Sequence, residues 1–174
     1  MNSPESIDQE NSTANARLAG KYLTFILDGE SYGIDVLRIR EIIRATKITS
    51  VPQVPDYVCG VINLRGKIIP VMDLRLRLGF GEAKATEQTC IVVVVIKMSD
   101  GKSAQMGLVV DSVAEVLNIA ATDIEETPDF GAGLSTDLIL GMAKVKGEVK
   151  TLLHIDQLAG HAAAQSLQTG IIQA

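Results

Sequence analysis

Apolar and polar positions along this chain come in short alternating bursts, and the bursts read as strands more often than helices. Tyr22-Leu23-Thr24-Phe25-Ile26-Leu27 is β-branched and aromatic, Asp28-Gly29-Glu30 supplies a turn, and Ser31 to Ile34 resumes the extended pattern, which predicts a hairpin. From Asp35, an N-cap residue type, the period changes. Val36, Ile39, Ile42 and Ile43 fall at helical spacing, although Val36 to Ile42 also fits an alternating strand. The reading adopted is a strand passing into a short helix. Pro52-Gln53-Val54-Pro55 then interrupts regular structure, because neither proline donates a backbone hydrogen bond.

Gly60 to Leu74, GVINLRGKIIPVMDL, sets a turn-breaking island, Asn63-Leu64-Arg65-Gly66-Lys67, between two β-rich runs. It predicts strand, tight connection, strand, with Arg65 at the bend. A short amphipathic stretch from Asp73 to Leu78 follows, and the polar run Glu82 to Gln88 is a connector. Ile91 to Met98 is apolar throughout, as a strand buried on both faces should be. Ser99-Asp100-Gly101-Lys102 turns the chain into Ala104 to Val110, and Ile155 to Gly160, with His161 to Ala164 beyond, suits a terminal helix.

The chain also repeats itself. Gly33 to Ile43 lines up with Gly107 to Leu117 without gaps, placing Glu41 opposite Glu115. Gly60 and Gly66 have counterparts in Gly141 and Gly147, so Lys144-Val145-Lys146-Gly147 replaces the Arg65 island. Two similar β units, about 21–80 and 89–159, follow from this, with strands open to exchange between them. Residues 1–20 read as a disordered tail and 161–174 as a C-terminal tail or helix extension. Short strands and frequent turns point to small barrels or a sandwich: all-β with short helices.

Composition narrows the partners. Lysine plus arginine number 16 against 21 aspartate plus glutamate, a net charge of −5, which argues against an electrostatic grip on nucleic acid. Hydrophobic residues make up 47% and aromatics 3%, so the core is aliphatic. The N-terminus lacks the basic start and apolar stretch of a secretion signal. The apolar run Ile91 to Ile96 is about a third of a membrane-spanning helix, so no direct membrane insertion is expected. Cys59 and Cys90 lack CxxC spacing and read as buried free thiols in a reducing cytosol, which makes Asn11-Ser12-Thr13 a chance sequon.

No catalytic constellation emerges. His154 and His161 do not share metal-ligand spacing, and Asp123, Glu125, Glu126 and Asp129 lack the EF-hand pattern. Ser135-Thr136 sits in no nucleophile elbow, and Gly131-Ala132-Gly133 is too short for a dinucleotide fingerprint. No enzyme, no metal and no cofactor is the expectation. Arg65 and Glu41 remain: solvated charges on one reading, interface anchors on the other, since both are set among aliphatics and Arg is enriched at interfaces. The expectation is that they meet across the first unit and shape one edge of a groove.

At these residues the sequence resembles the CheW family of chemotaxis coupling proteins. The resemblance rests on Gly33-Ile34-Asp35-Val36 with Glu41-Ile42, on Gly60-Val61-Ile62-Asn63-Leu64-Arg65-Gly66 with Ile69-Pro70-Val71 and Asp73-Leu74, on Gly107 to Leu117, and on Leu134-Ser135-Thr136 to Gly141. It spans Lys21 to Gly160. It implies two packed five-stranded SH3-like barrels and a cytoplasmic adaptor, recruited to membrane-associated arrays. The implied partners are the regulatory domain of the histidine kinase CheA and the cytoplasmic tip of methyl-accepting chemoreceptors. By motif position Val36, Ile39, Glu41 and Arg65 would line or support the receptor groove, and Gly60 would lie near a kinase-contacting face.

Three other readings compete. A small-ligand or oligonucleotide-binding barrel lacks aromatic stacking residues here. A fragment of the kinase itself is disfavoured by the polar tail after Met1 and by the lack of an ATP-binding segment. A coupler for a surface-motility array stays within the family and shares its residues.

Overall fold

The structure, a computed structural model, describes residues 15–128 and 137–160. Asn11-Ser12-Thr13, Asp129, Gly131 to Thr136, His161 and the C-terminal tail lie outside them, as does part of the Leu134–Gly141 block.

Type I′ geometry, which needs two residues at positive φ, sets three of the hairpins. Strands β1 (Gly20–Leu27) and β2 (Glu30–Asp35) join through Asp28 and Gly29 at φ 50° and 79°. Strands β4 (Val58–Leu64) and β5 (Lys67–Asp73) join through Arg65 and Gly66 at φ 52° and 83°. The Asn63 carboxamide accepts the Gly66 N–H at 3.0 Å and braces that bend. Strands β10 (Ile139–Val145) and β11 (Glu148–Leu153) use Lys146 and Gly147 in the same way, at φ 53° and 78°.

Between β2 and β3 (Ile39–Arg44) the order of elements is the reverse of the expected one. A 3-10 turn at Val36–Arg38 comes first, capped by Asp35, whose carboxylate accepts the Leu37 N–H at 2.9 Å, and the strand follows. The helical spacing of Val36, Ile39, Ile42 and Ile43 loses to the alternative because β3 pairs along its length with β6 (Cys90–Lys97). Asp73 caps a one-turn helix, Leu74–Arg77. Strands β7 (Ser103–Val110), β8 (Ser112–Ile119) and the two-residue β9 (Ile124–Glu125) complete the set.

The strands form a six-stranded sheet, β8-β1-β2-β11-β10-β9, and a five-stranded sheet, β3-β6-β7-β5-β4. Replacing β1, β2, β3, β4 and β5 by β6, β7, β8, β10 and β11 converts one order into the other, apart from β9. Each sheet therefore combines a hairpin from one half of the chain with strands from the other. The single parallel junction of each sheet sits at an equivalent glycine: Leu152 pairs with Gly33, and Val71 with Gly107. A Cβ there would lie 2.9 Å from Leu152 Cδ2 at Gly33 and 2.8 Å from Ile91 Cγ2 at Gly107, so a side chain at either position would have to push a buried neighbour aside.

Neither sheet is a closed ladder, and the expected pair of five-stranded barrels is met as two SH3-like sheets, one carrying the extra β9. Past β3 the chain wraps back, and Thr49 forms an isolated bridge to Val61 on β4. The second unit's β9–β10 pairing, Glu125 with Met142, occupies the equivalent place.

Three apolar clusters follow from the layering. Phe25, Leu27, Met72, Val92, Val94, Leu108 and Leu158 belong to a core shared by both sheets and the C-terminal helical residues 155–160. Tyr22, Ile119 and Leu152 fill the six-stranded sheet, and Ile62, Val71, Ile91 and Val93 the five-stranded one. Alternate residues of β6 thus enter different cores, which is why its run is apolar without a break. His154 caps the terminal helical turn, its Nδ1 accepting the Gln157 N–H at 3.3 Å. A helical turn at 15–18 lies inside the segment read as a tail; there the Tyr22 hydroxyl donates to the Leu18 carbonyl at 2.6 Å.

Candidate functional site

Strands β3 and β4 lie at opposite ends of the five-stranded sheet, and the β4–β5 turn brings Arg65 back onto β3. Its Nη1 and Nη2 donate to Glu41 Oε1 and Oε2, both at 3.0 Å. The Arg65 side chain is 79% exposed, whereas that of Glu41 is 23% exposed. A planar guanidinium held on a shielded carboxylate keeps most of its edge free for another group. Arg65 and Glu41 therefore meet, as their neighbourhood in the sequence predicts. The pair's equivalents behave differently: among the described residues no ion pair joins Glu115 to Lys146.

Val36 and Ile39 lie on the same course of chain but face inward, half-buried against the shared core. Leu37, between them in the 3-10 turn, is 89% exposed. Gly60 is buried at a bulge where β4 shifts register against β5. Its φ is 141°, and a Cβ would lie 1.9 Å from the Thr49 carbonyl oxygen, so Gly60 shapes the backbone and presents no side chain.

Sequence reasoning missed several features. Arg75 donates to Asp111 at 2.6 Å, to Asp28 at 3.3 Å and to the Gly81 carbonyl at 3.3 Å, tying the β1–β2 turn to the junction of β7 and β8. Arg38 joins the 3-10 turn to β6 and the C-terminal helix, through the Val95 carbonyl at 3.0 Å and an ion pair with Asp156. Exposed apolar residues also recur by the repeat: Ile42 and Ile68 in the first unit are matched by Val116 and Val149 in the second. The aligned repeat already relates these positions, but an exposed isoleucine beside a buried one, as in Ile68-Ile69, carries no local mark of its exposure.

Ionisation is perturbed at a few sites. Burial pushes the Cys59 thiol up to about 11, with the Asp73 charge adding to the effect. Burial also raises the Asp73 carboxyl, against the amides of Leu76 and Arg75 that it caps. At Asp156 burial acts upward, but the Arg38 hydrogen bond, the Lys97 amide and the charges of Arg38 and His154 hold the carboxyl below its ordinary value. Among the described residues no group of three or more His, Cys, Asp or Glu could hold a metal ion. None of their helices is long and apolar enough to cross a membrane.

Comparison with known proteins finds similarity over most of the chain. The family model described as the CheW-like domain matches residues 21–163. The chemotaxis protein CheW of Klebsiella aerogenes is 34% identical over 148 residues, covering 82% of this chain and 86% of its own. That of Bacillus subtilis is 32% identical over 143 residues, covering 82% and 86%. The protein FrzA of Myxococcus xanthus is 29% identical over 147 residues, covering 83% and 88%. Among solved structures, the scaffolding protein TtCheW of Thermoanaerobacter tengcongensis is similar, with a TM-score of 0.70 and 34% identity over 80% of this chain and 92% of that one.

Proposed function

The chain belongs to the CheW-like family, and from that premise we propose that it is a non-catalytic chemotaxis adaptor linking chemoreceptor tips to a histidine kinase. Family membership over residues 21–163 is the observation that carries this reading. The partners are the cytoplasmic tip of methyl-accepting chemoreceptors and the regulatory domain of the kinase CheA. The protein works in the cytoplasm, recruited to membrane-associated arrays.

Receptor binding uses the edge built by Val36, Ile39, Glu41 and Arg65. Val36 and Ile39 supply the aliphatic floor, and the Arg65–Glu41 pair supplies an oriented cation at the rim. This suits a helical hairpin presenting an apolar stripe with polar flanks. Kinase binding uses the exposed aliphatic side chains of the sheet strands, Ile42 and Ile68 in one unit and, separately, Val116 and Val149 in the other. Gly60 contributes to the first of these by bending β4. The units at 21–80 and 89–159 would then serve as two surfaces of one coupler, which transmits signal by holding two partners in register.

Calorimetry with a soluble receptor hairpin fragment and with the isolated kinase regulatory domain tests the reading. Both are expected to bind wild type, with Arg65→Ala weakening the receptor fragment selectively. A wild-type protein that binds neither partner overturns it. Coupling in a surface-motility array would use the same surfaces and is the alternative; receptor fragments from the two kinds of array distinguish the roles.

A further inference from the structure

We propose that Asp156 is a positioning residue for the receptor-binding edge: through Arg38 it fixes the Val36–Arg38 turn, so that docking of the C-terminal helix and engagement of the receptor hairpin strengthen each other. The proposal rests on the receptor-binding role assigned above to Val36 and Ile39.

The geometry is a three-way junction. Arg38 is flanked by Leu37 and Ile39, so its side chain sets the path of the chain through the proposed site. Its Nε donates to the Val95 carbonyl on β6 at 3.0 Å, and its Nη2 pairs with Asp156 Oδ1. The same Asp156 oxygen accepts the Lys97 N–H at 2.8 Å, so one carboxylate holds both the turn and the end of β6. Both charged side chains are about three-quarters shielded, at 24% and 25% exposure, where a pair is screened less than on an open surface. At the turn's other side the Asp35 cap holds Leu37. A 3-10 turn has weak internal hydrogen bonds, so its conformation depends on such external ties.

Packing runs along the same path. Ile155, Leu158 and Ala159 of the helical segment share a core with Val94 and Ile96 of β6, and Val36 and Ile39 pack against that same core. A shift of the segment is therefore felt by the floor of the proposed site as well as by Arg38. The helix has a second, independent anchor: Arg77 donates to the Leu158 carbonyl at 3.0 Å while its guanidinium lies 5.3 Å from the Tyr57 ring centre. Loss of the Asp156 charge consequently leaves the helix docked and frees mainly the turn. Coupling of this kind is reciprocal, so a ligand that favours the ordered turn must also favour the docked helix.

The test uses the full chain with Asp156→Asn, which removes the charge that pairs with Arg38 but keeps an oxygen able to accept the Lys97 N–H. Calorimetry measures affinity for a receptor cytoplasmic hairpin fragment and, separately, for the kinase regulatory domain. We expect the variant to bind the receptor fragment at least about fivefold more weakly, the lower end of ordinary site-to-site coupling, with kinase affinity unchanged. Asp156→Glu, which keeps the carboxylate, should recover most of the loss. Hydrogen exchange adds a structural readout: receptor fragment should slow amides at 155–160 in wild type and do so less in Asp156→Asn. If wild type binds the fragment and Asp156→Asn binds it equally well, the inference fails while the receptor-binding role stands. An equal loss for both partners would mark general unfolding and also overturn it. Wild type that does not bind the fragment removes both.

Discussion

Both terminal nitrogens of Arg65 lie 3.0 Å from the carboxylate oxygens of Glu41, joining the β4–β5 turn to β3 at the opposite end of the same sheet. With Arg65 so exposed, the pair orients a cation more than it holds the fold. Arg65→Ala should cost less than about 1 kcal/mol in urea unfolding, while receptor-fragment affinity drops. Arg65→Lys should not restore binding, because an ammonium lacks the two-pronged geometry. Full affinity in both variants would show Arg65 to be a turn charge only.

Gly60 should tolerate no substitution. A Cβ would collide with the Thr49 carbonyl oxygen, and the φ of 141° is itself strained for other residues. Gly60→Ala is expected to destabilise by more than about 2 kcal/mol, seen as a lower urea midpoint with circular dichroism. A midpoint within error of wild type would show that the bulge relaxes without cost. Gly66→Ala, with open space around its Cβ, should be milder and act through φ alone.

Ile68→Ser and Val149→Ser probe the exposed apolar positions of the two units. Neither side chain is in the core, so stability should stay within about 0.5 kcal/mol of wild type. Each should weaken kinase-domain binding about tenfold if it acts as an interface anchor. Equal affinities across wild type and both variants would move the kinase contact away from these positions.

Alkaline pH should destabilise the protein through Cys59. Its thiol is raised from an ordinary value of 9.0 to about 11, so the unfolded chain ionises first. The stabilisation is full below pH 9.0 and is lost as pH climbs toward about 11. Tyr22, lifted from 10.0 to about 12 by burial and then by Asp35, adds a loss over a slightly higher range. Urea midpoints at pH 8 and pH 10 should differ less in Cys59→Ser than in wild type. Identical differences would show that Cys59 contributes nothing to the alkaline loss.

Much of the local structure was legible from residue types. Asp28-Gly29 and Arg65-Gly66 adopt the positive φ that hairpin turns need, and Asp35 caps as its residue type predicts. The stretch from Val36 to Ile42 fits both a helical and an alternating period, and only pairing with β6 decides between them. The Arg65–Glu41 pair was within reach because both charges stand out among aliphatics. The Arg38–Asp156 pair was not, since 118 residues separate its partners and each looks like an ordinary surface charge.

The alternation, the turns, the duplicated pattern and the family-matching motifs are all written in local residue order, because they depend on neighbours a few residues apart. How the two halves share their hairpins, which aliphatics remain exposed, and where Arg38 and Arg75 find acids emerge only when the sheets come together. Those outcomes depend on which surfaces are buried together once the sheets pack, and burial is a property of the assembled chain rather than of any segment.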